Sequence, residues 1–233
     1  MKGTLEICCT SLEDAKHAFD NGADRIELCE NLSVGGVTPS LELIESVVSV
    51  VKIPVFVLIR PRPGDFVFNN KELKKMLSSI QNSVDLGVSG IVSGALKLDN
   101  NIDMYALDKL IEASRSLPFT FHRAFDQSEN IEQSFKELRS KGVQRVLSSA
   151  GLSRASDDPE KISRFVQLSE SNPRVLCCGG IRSSNIRDLL HVPELHEFHS
   201  AASLSPLGVD PTEVRRMRDF IDIVLSLIHI SEP

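Results

Sequence analysis

Short runs rich in β-branched and apolar residues alternate eight times with longer segments of helical character along this chain, and few folds accept such a rhythm. The strand-like runs are Thr4 to Cys9, Asp24 to Cys29, Pro54 to Arg60, Gly90 to Gly94, Pro118 to Arg123, Arg145 to Ser149, Arg174 to Cys178 and His196 to Ala201. Helices are predicted near Ser11 to Asn21, Pro39 to Val51, Asn70 to Leu86, Asp103 to Ser116, Asn130 to Lys141, Asp158 to Ser171, Ser183 to Leu190 and Asp210 to Val224. Ser11, Ser40, Asp103, Asn130, Asp158 and Ser183 stand where a helix start needs a side-chain acceptor for its free N–H groups. Gly22, Gly87 and Gly142 stand where a left-handed residue would end a helix. Strand-helix pairs of this kind predict an α/β fold, a single (β/α)8 TIM barrel, with a doubly wound open sheet as the competing topology.

No Pro-rich linker or short repeat divides the pattern, so residues 1–224 read as one domain. The last residues, 225–233 (LSLIHISEP), resemble the translation of a sequencing adapter and are expected to be a non-native tail. With 26 Lys+Arg against 32 Asp+Glu the chain lacks the basic excess of a nucleic-acid binder. No apolar run is long enough to span a membrane and no secretory leader is visible, which predicts a cytoplasmic protein. Five cysteines, Cys8, Cys9, Cys29, Cys177 and Cys178, form an odd set with two adjacent pairs, as expected of reduced thiols.

Barrel strands cover their outward face with helices, so polar strand residues must mostly face inward. By that parity Glu6, Cys8, Arg25, Glu27, Cys29, Thr120 and His122 point into the barrel, and Arg60 stands at its inner rim. Burying so many ionisable groups requires either mutual ion pairs or a ligand. The long loops Asn31 to Pro39 and Pro61 to Asn69 would lie on the C-terminal rim, where barrels build active sites.

Three constellations follow. Cys8 and Cys29 share inward parity near the ends of neighbouring strands, where two thiolates suit Cu(I); packing as small apolar side chains is the plain alternative. In Phe121 to Asp126, His122 is a candidate acid/base, Arg123 an anion clamp and Asp126 its partner; Arg60, Arg62 and Asp65 add guanidinium groups and a carboxylate nearby. In Cys178-Gly179-Gly180-Ile181-Arg182, amides of Gly179 and Gly180 with Arg182 offer an anion site after the seventh strand, beside a rim containing Ser200 and Ser203. Cys9 and Cys177 read as packing residues, while His191, His196 and His199 show no compact metal spacing.

Several separate blocks resemble the CutC copper homeostasis family: Leu5 to Cys9, Gly22 to Cys29, Gly35 to Ser40, Ile59 to Phe66 and Thr120 to Asp126. The likeness runs through about the first 200 residues. It implies a cytosolic (β/α)8 barrel, a homo-oligomer (dimer or tetramer), and a copper ion held as Cu(I), with the metal cysteines falling on Cys8 and Cys29. The segment Ser200 to Asp210 is shorter than the polar insertion typical of that family. Three functions are therefore compatible with the sequence. The first is a Cu(I)-binding protein using Cys8 and Cys29, with Glu6 and Glu27 nearby. The second is an enzyme for a small anionic ligand bearing phosphate or carboxylate, with His122, Arg60, Arg123, Asp126 and Glu27 as catalytic candidates and Gly179, Gly180 and Arg182 holding the anion. The third is an oligomeric scaffold.

Overall fold

In a computed structural model that describes residues 3–204 and 208–230, with side chains only as far as 224, eight parallel strands close on themselves in sequence order. They are β1 (Thr4–Cys9), β2 (Arg25–Leu28), β3 (Val55–Leu58), β4 (Gly90–Ser93), β5 (Phe119–Phe121), β6 (Arg145–Ser148), β7 (Arg174–Cys177) and β8 (Glu197–Ser200). The helices are α1 (Leu12–Asp20), α2 (Leu41–Val50), α3 (Asn70–Asp85), α4 (Met104–Ala113), α5 (Ile131–Ser140), α6 (Pro159–Ser169) and α7 (Pro211–Ile230). Closure through β1 and β8, with Glu6 opposite His199, excludes the open sheet.

Local chemistry starts the helices as expected. Side chains of Ser11, Ser40, Asp103, Asn130 and Asp158 each accept from a backbone N–H in the first turn. Asn69 does the same for α3 within a reciprocal capping box completed by Glu72. The predicted helix over Ser183 to Leu190 is a correction: only a single 3₁₀ turn forms, over Ile186–Asp188. Ser183 does not cap it; its N–H and hydroxyl both donate to Glu213 on α7, at 2.6 and 2.7 Å. The fifth strand also stops early. His122, whose N–H still donates to the Ser93 carbonyl of β4, caps a 3₁₀ turn, Arg123–Gln127, through its own Nδ1.

Parity sorts the packing into two compartments. Leu5, Ile7, Cys9, Ile26, Leu28, Phe119, Phe121, Cys177 and Phe198 face outward into the main core beneath the helices. Inside the barrel lie two small apolar clusters, one of Cys8, Cys29, Phe56, Leu58 and Val92, the other of Leu147, Leu176 and Cys178. The residue after β4 contributes space: a Cβ at Gly94 would stand 2.9 Å from both the His122 ring and the Phe121 ring. The last helix runs on to Ile230, past the boundary expected at Val224. Positions 205–207 in the eighth βα loop and the side chains of the adapter-like residues 225–233 lie outside the described residues.

Candidate functional site

The barrel floor is ionic. Arg25 bonds Glu6 through Nε and reaches Glu197 through Nη2 at 2.8 Å. Arg145 and Arg174 approach the same Glu197 at 2.7 and 3.4 Å. Burial alone would raise the pKa of Glu6, but Arg25 and His199 outweigh it and bring the carboxyl down to about 2. Arg25 and Glu6 are therefore committed to one another and to the floor, in the manner of the ion-paired alternative.

Above that floor the strands deliver four metal-type donors to one place. Cys8 and Cys29, 3% and 1% exposed, converge with their sulfurs 3.4 Å apart. Single donor atoms of Cys8, Glu27 and His199 all lie within 4.8 Å of one another. His199 bridges floor and site, its Nδ1 2.7 Å from Glu6 and its Nε2 3.6 Å from Glu27. Burial disfavours charge on this ring, yet Glu27 and Glu6 together raise its pKa above the ordinary histidine range. Burial raises Glu27 against the opposing influence of His199. The Cys8 thiol is pushed well up, first by its hydrogen bond with Cys29 and then by burial.

His199 escaped the sequence reading. The signal was present as alternation on the eighth strand, since apolar Phe198 faces outward and its neighbours Glu197 and His199 must face in. Cys178 also faces inward, beside Leu147 and Leu176, and lines the cavity described next.

These residues open into a cavity of about 280 Å³ at the C-terminal mouth, lined also by Arg60, His122, Arg123, Gly179, Gly180, Arg182 and Ser200. Asp126 and Arg62 are absent from that wall. Asp126 instead orders the loop after β6, accepting from the Ser148 hydroxyl at 2.5 Å and from the Ser149 and Gly151 amides at 3.2 Å. Arg123 pairs with Asp126 at 3.1 Å and donates to the Ser149 hydroxyl. Arg62 binds Asp65 and Glu72 on the outer side of its loop.

Arg60 is a strut between the two long rim loops. Its guanidinium donates to the carbonyls of Val34 and Gly36 on one loop and Gly64 on the other, at 3.1, 3.0 and 2.7 Å. It also stacks 4.8 Å from the centre of the Phe66 ring. Arg182 is similarly engaged, donating to the carbonyls of Ile181 and Ser203 and to the Ser200 hydroxyl. His122 differs from the acid/base expected of it. Burial, aided by nearby Arg60, depresses its pKa to about 3, so near neutrality the ring is uncharged and proton transfer through it is disfavoured. Because Nδ1 accepts from the Ala124 N–H, the hydrogen sits on Nε2 and the ring is a neutral donor.

A model of the CutC family matches residues 3–204. Among solved structures, the chain is similar to the copper homeostasis protein CutC of Streptococcus agalactiae, with a TM-score of 0.80 and 30% identity over 84% of this chain and 97% of that one. The fold alone is shared with N-(5'-phosphoribosyl)anthranilate isomerase of Pyrococcus furiosus, at a TM-score of 0.59 and 18% identity, covering 95% of this chain and 99% of that one. Thiamine phosphate pyrophosphorylase of the same organism gives a TM-score of 0.59 at 14% identity, covering 96% and 98% of the two chains.

Proposed function

The chain belongs to the CutC family, and from that premise we propose that it serves copper homeostasis by taking up Cu(I) through Cys8 and Cys29 at the mouth of its barrel. The observation that carries this reading is the 3.4 Å approach of two buried sulfurs from adjacent strands. Soft thiolates select Cu(I), and a low-coordinate ion needs no more than this pair. His199 and Glu27 stand close enough to add a third donor or to take up the protons that metal binding must displace from the thiols. No described helix is long and apolar enough to cross a membrane. A reducing cytoplasm suits thiols that must stay unoxidised to bind.

Anaerobic titration with Cu(I) against a competing chelator tests this directly. One tight equivalent is expected in the wild type and is lost in Cys8→Ser and in Cys29→Ser. Cys178→Ser, altered in the separate interior cluster, is expected to retain it. Unchanged affinity in both of the first two variants refutes the proposal. Sedimentation of the same preparation tests the dimer or tetramer that the resemblance implies.

A further inference from the structure

The copper reading uses the donors on β1, β2 and β8 and leaves the loops after β7 and β8 unexplained. After β7 the backbone turns through Gly179 and Gly180 at φ of +97° and +65°. A Cβ at Gly179 would stand 2.8 Å from that of Ser149, so no other residue fits this turn without displacing the neighbouring loop. Among the described residues, the N–H groups of Gly179, Gly180 and Ala201 make no hydrogen bond, although all three residues line the cavity. Successive amides in such a turn form a concave, positively polarised surface.

Three arginine side chains stand near these loops. The Arg154 side chain lies across Gly180, with Cγ and Nε 3.5 and 3.8 Å from where a Cβ would stand. Arg123 reaches Ser149, the residue packed on Gly179, and Arg182 reaches Ser200 on the adjoining β8. Of the nearby carboxylates, Asp126 pairs with Arg123 and Glu213 holds Ser183. Arg154 forms no ion pair with an acidic residue among the ion pairs described.

A second, independent feature points to a ligand. His122 is 3% exposed and lines the same cavity, yet its Nε2 has no hydrogen-bond partner among the described residues. A buried donor left unpaired costs stability, which a ligand oxygen would recover. A cavity of about 280 Å³ leaves room for a small organic group beyond the anion.

We propose that the wall formed by the loops after β7 and β8 binds the phosphate group of a small phosphorylated molecule, through the Gly179, Gly180 and Ala201 amides with Arg123, Arg154 and Arg182 around them. A phosphate has three free oxygens to meet donors arriving from several directions, whereas a carboxylate presents two in one plane. The assignment is independent of the copper reading, because none of its donors is a thiol.

Calorimetric titration of the full chain with inorganic phosphate, at neutral pH and low salt, is the test. One saturable site is expected. Arg154→Gln changes an exposed side chain and should fold normally, and it is expected to weaken phosphate binding by about tenfold, as loss of a charge-assisted hydrogen bond does. Arg123→Gln should weaken it comparably. Cys8→Ser should bind phosphate as the wild type does, even if copper binding is lost. Acetate should bind more weakly than phosphate. Absence of saturable phosphate binding, wild-type affinity in both arginine variants, or equal affinity for acetate would each overturn the assignment.

Discussion

His122 shows how a single position can combine structural and chemical demands. Its ring occupies space left by the missing side chain of Gly94, packs at 4.8 Å from Phe66 and caps a 3₁₀ turn, all while uncharged. Its folded pKa of about 3 lies below the unfolded histidine value, so the unfolded chain binds the extra proton first as pH falls. Stability contributed by the neutral ring is therefore full above pH of about 6.5 and drains away toward pH 3, at up to about 1.4 kcal/mol per pH unit. In His122→Asn, where an amide oxygen takes over the cap, that drain is absent. The gap in melting temperature between wild type and variant should narrow as pH is lowered from 7 to 5. A gap that stays constant would show that His122 is not held neutral. His199 titrates in the opposite sense, but it is present in both proteins and cancels from the comparison.

At the scale of elements, the rim depends on connections between loops more than on the loops' own turns. Arg60 reaches Val34, Gly36 and Gly64 with a planar fork that lysine cannot reproduce. Arg60→Lys should leave the barrel ladders intact and loosen the segments 31–36 and 61–65. Amide hydrogen exchange should report this as faster exchange at Gly36 and, through the loosened Asp65 that accepts its N–H, at Val67, with β1 to β4 unchanged. Uniform acceleration through the strands would instead mean that Arg60 supports the barrel itself. Gly36 connects this strut to the thiols, since a Cβ there would stand 2.8 Å from Leu58 and 3.4 Å from the Cys29 sulfur.

For the molecule as a whole, the ionic floor links strands from both sides of the β1–β8 closure. Glu197 on β8 receives Arg25 from β2, Arg145 from β6 and Arg174 from β7. Burial opposes ionisation of Glu197, but Arg25 and Arg145 outweigh it and hold its pKa below the ordinary carboxylate range. Its stabilisation is present above the unfolded carboxylate pKa and is lost as pH falls through the lower folded one. Glu197→Gln leaves buried guanidinium charge under-compensated, a change that costs about 3 to 5 kcal/mol in comparable buried pairs and lowers the melting temperature on the order of 10 °C. Scanning calorimetry at neutral pH checks this. A shift below about 2 °C, roughly the effect of a surface substitution, would show that the floor does not hold the barrel closed.

How far the chain could be read before its structure follows from the range of the forces involved. Alternation along strands, acceptors at helix starts and left-handed glycines are local, and so the barrel, its caps and the inward direction of Cys8, Cys29 and His122 were legible. The segment after β7 carries a local helix-start signal at Ser183 but forms only a 3₁₀ turn, and its Ser183 amide and hydroxyl are held by Glu213, thirty residues away in sequence. Alternation can turn His199 into the barrel, but only closure of β8 against β1 brings it to Glu6, Glu27 and Cys8. Which charges neutralise one another was likewise decided in three dimensions, with Arg25 going to the floor and Arg60 to loop carbonyls. Residue types and periodicity determined which groups enter the barrel. The distances between them, and hence their protonation and partners, came only from closing the ring.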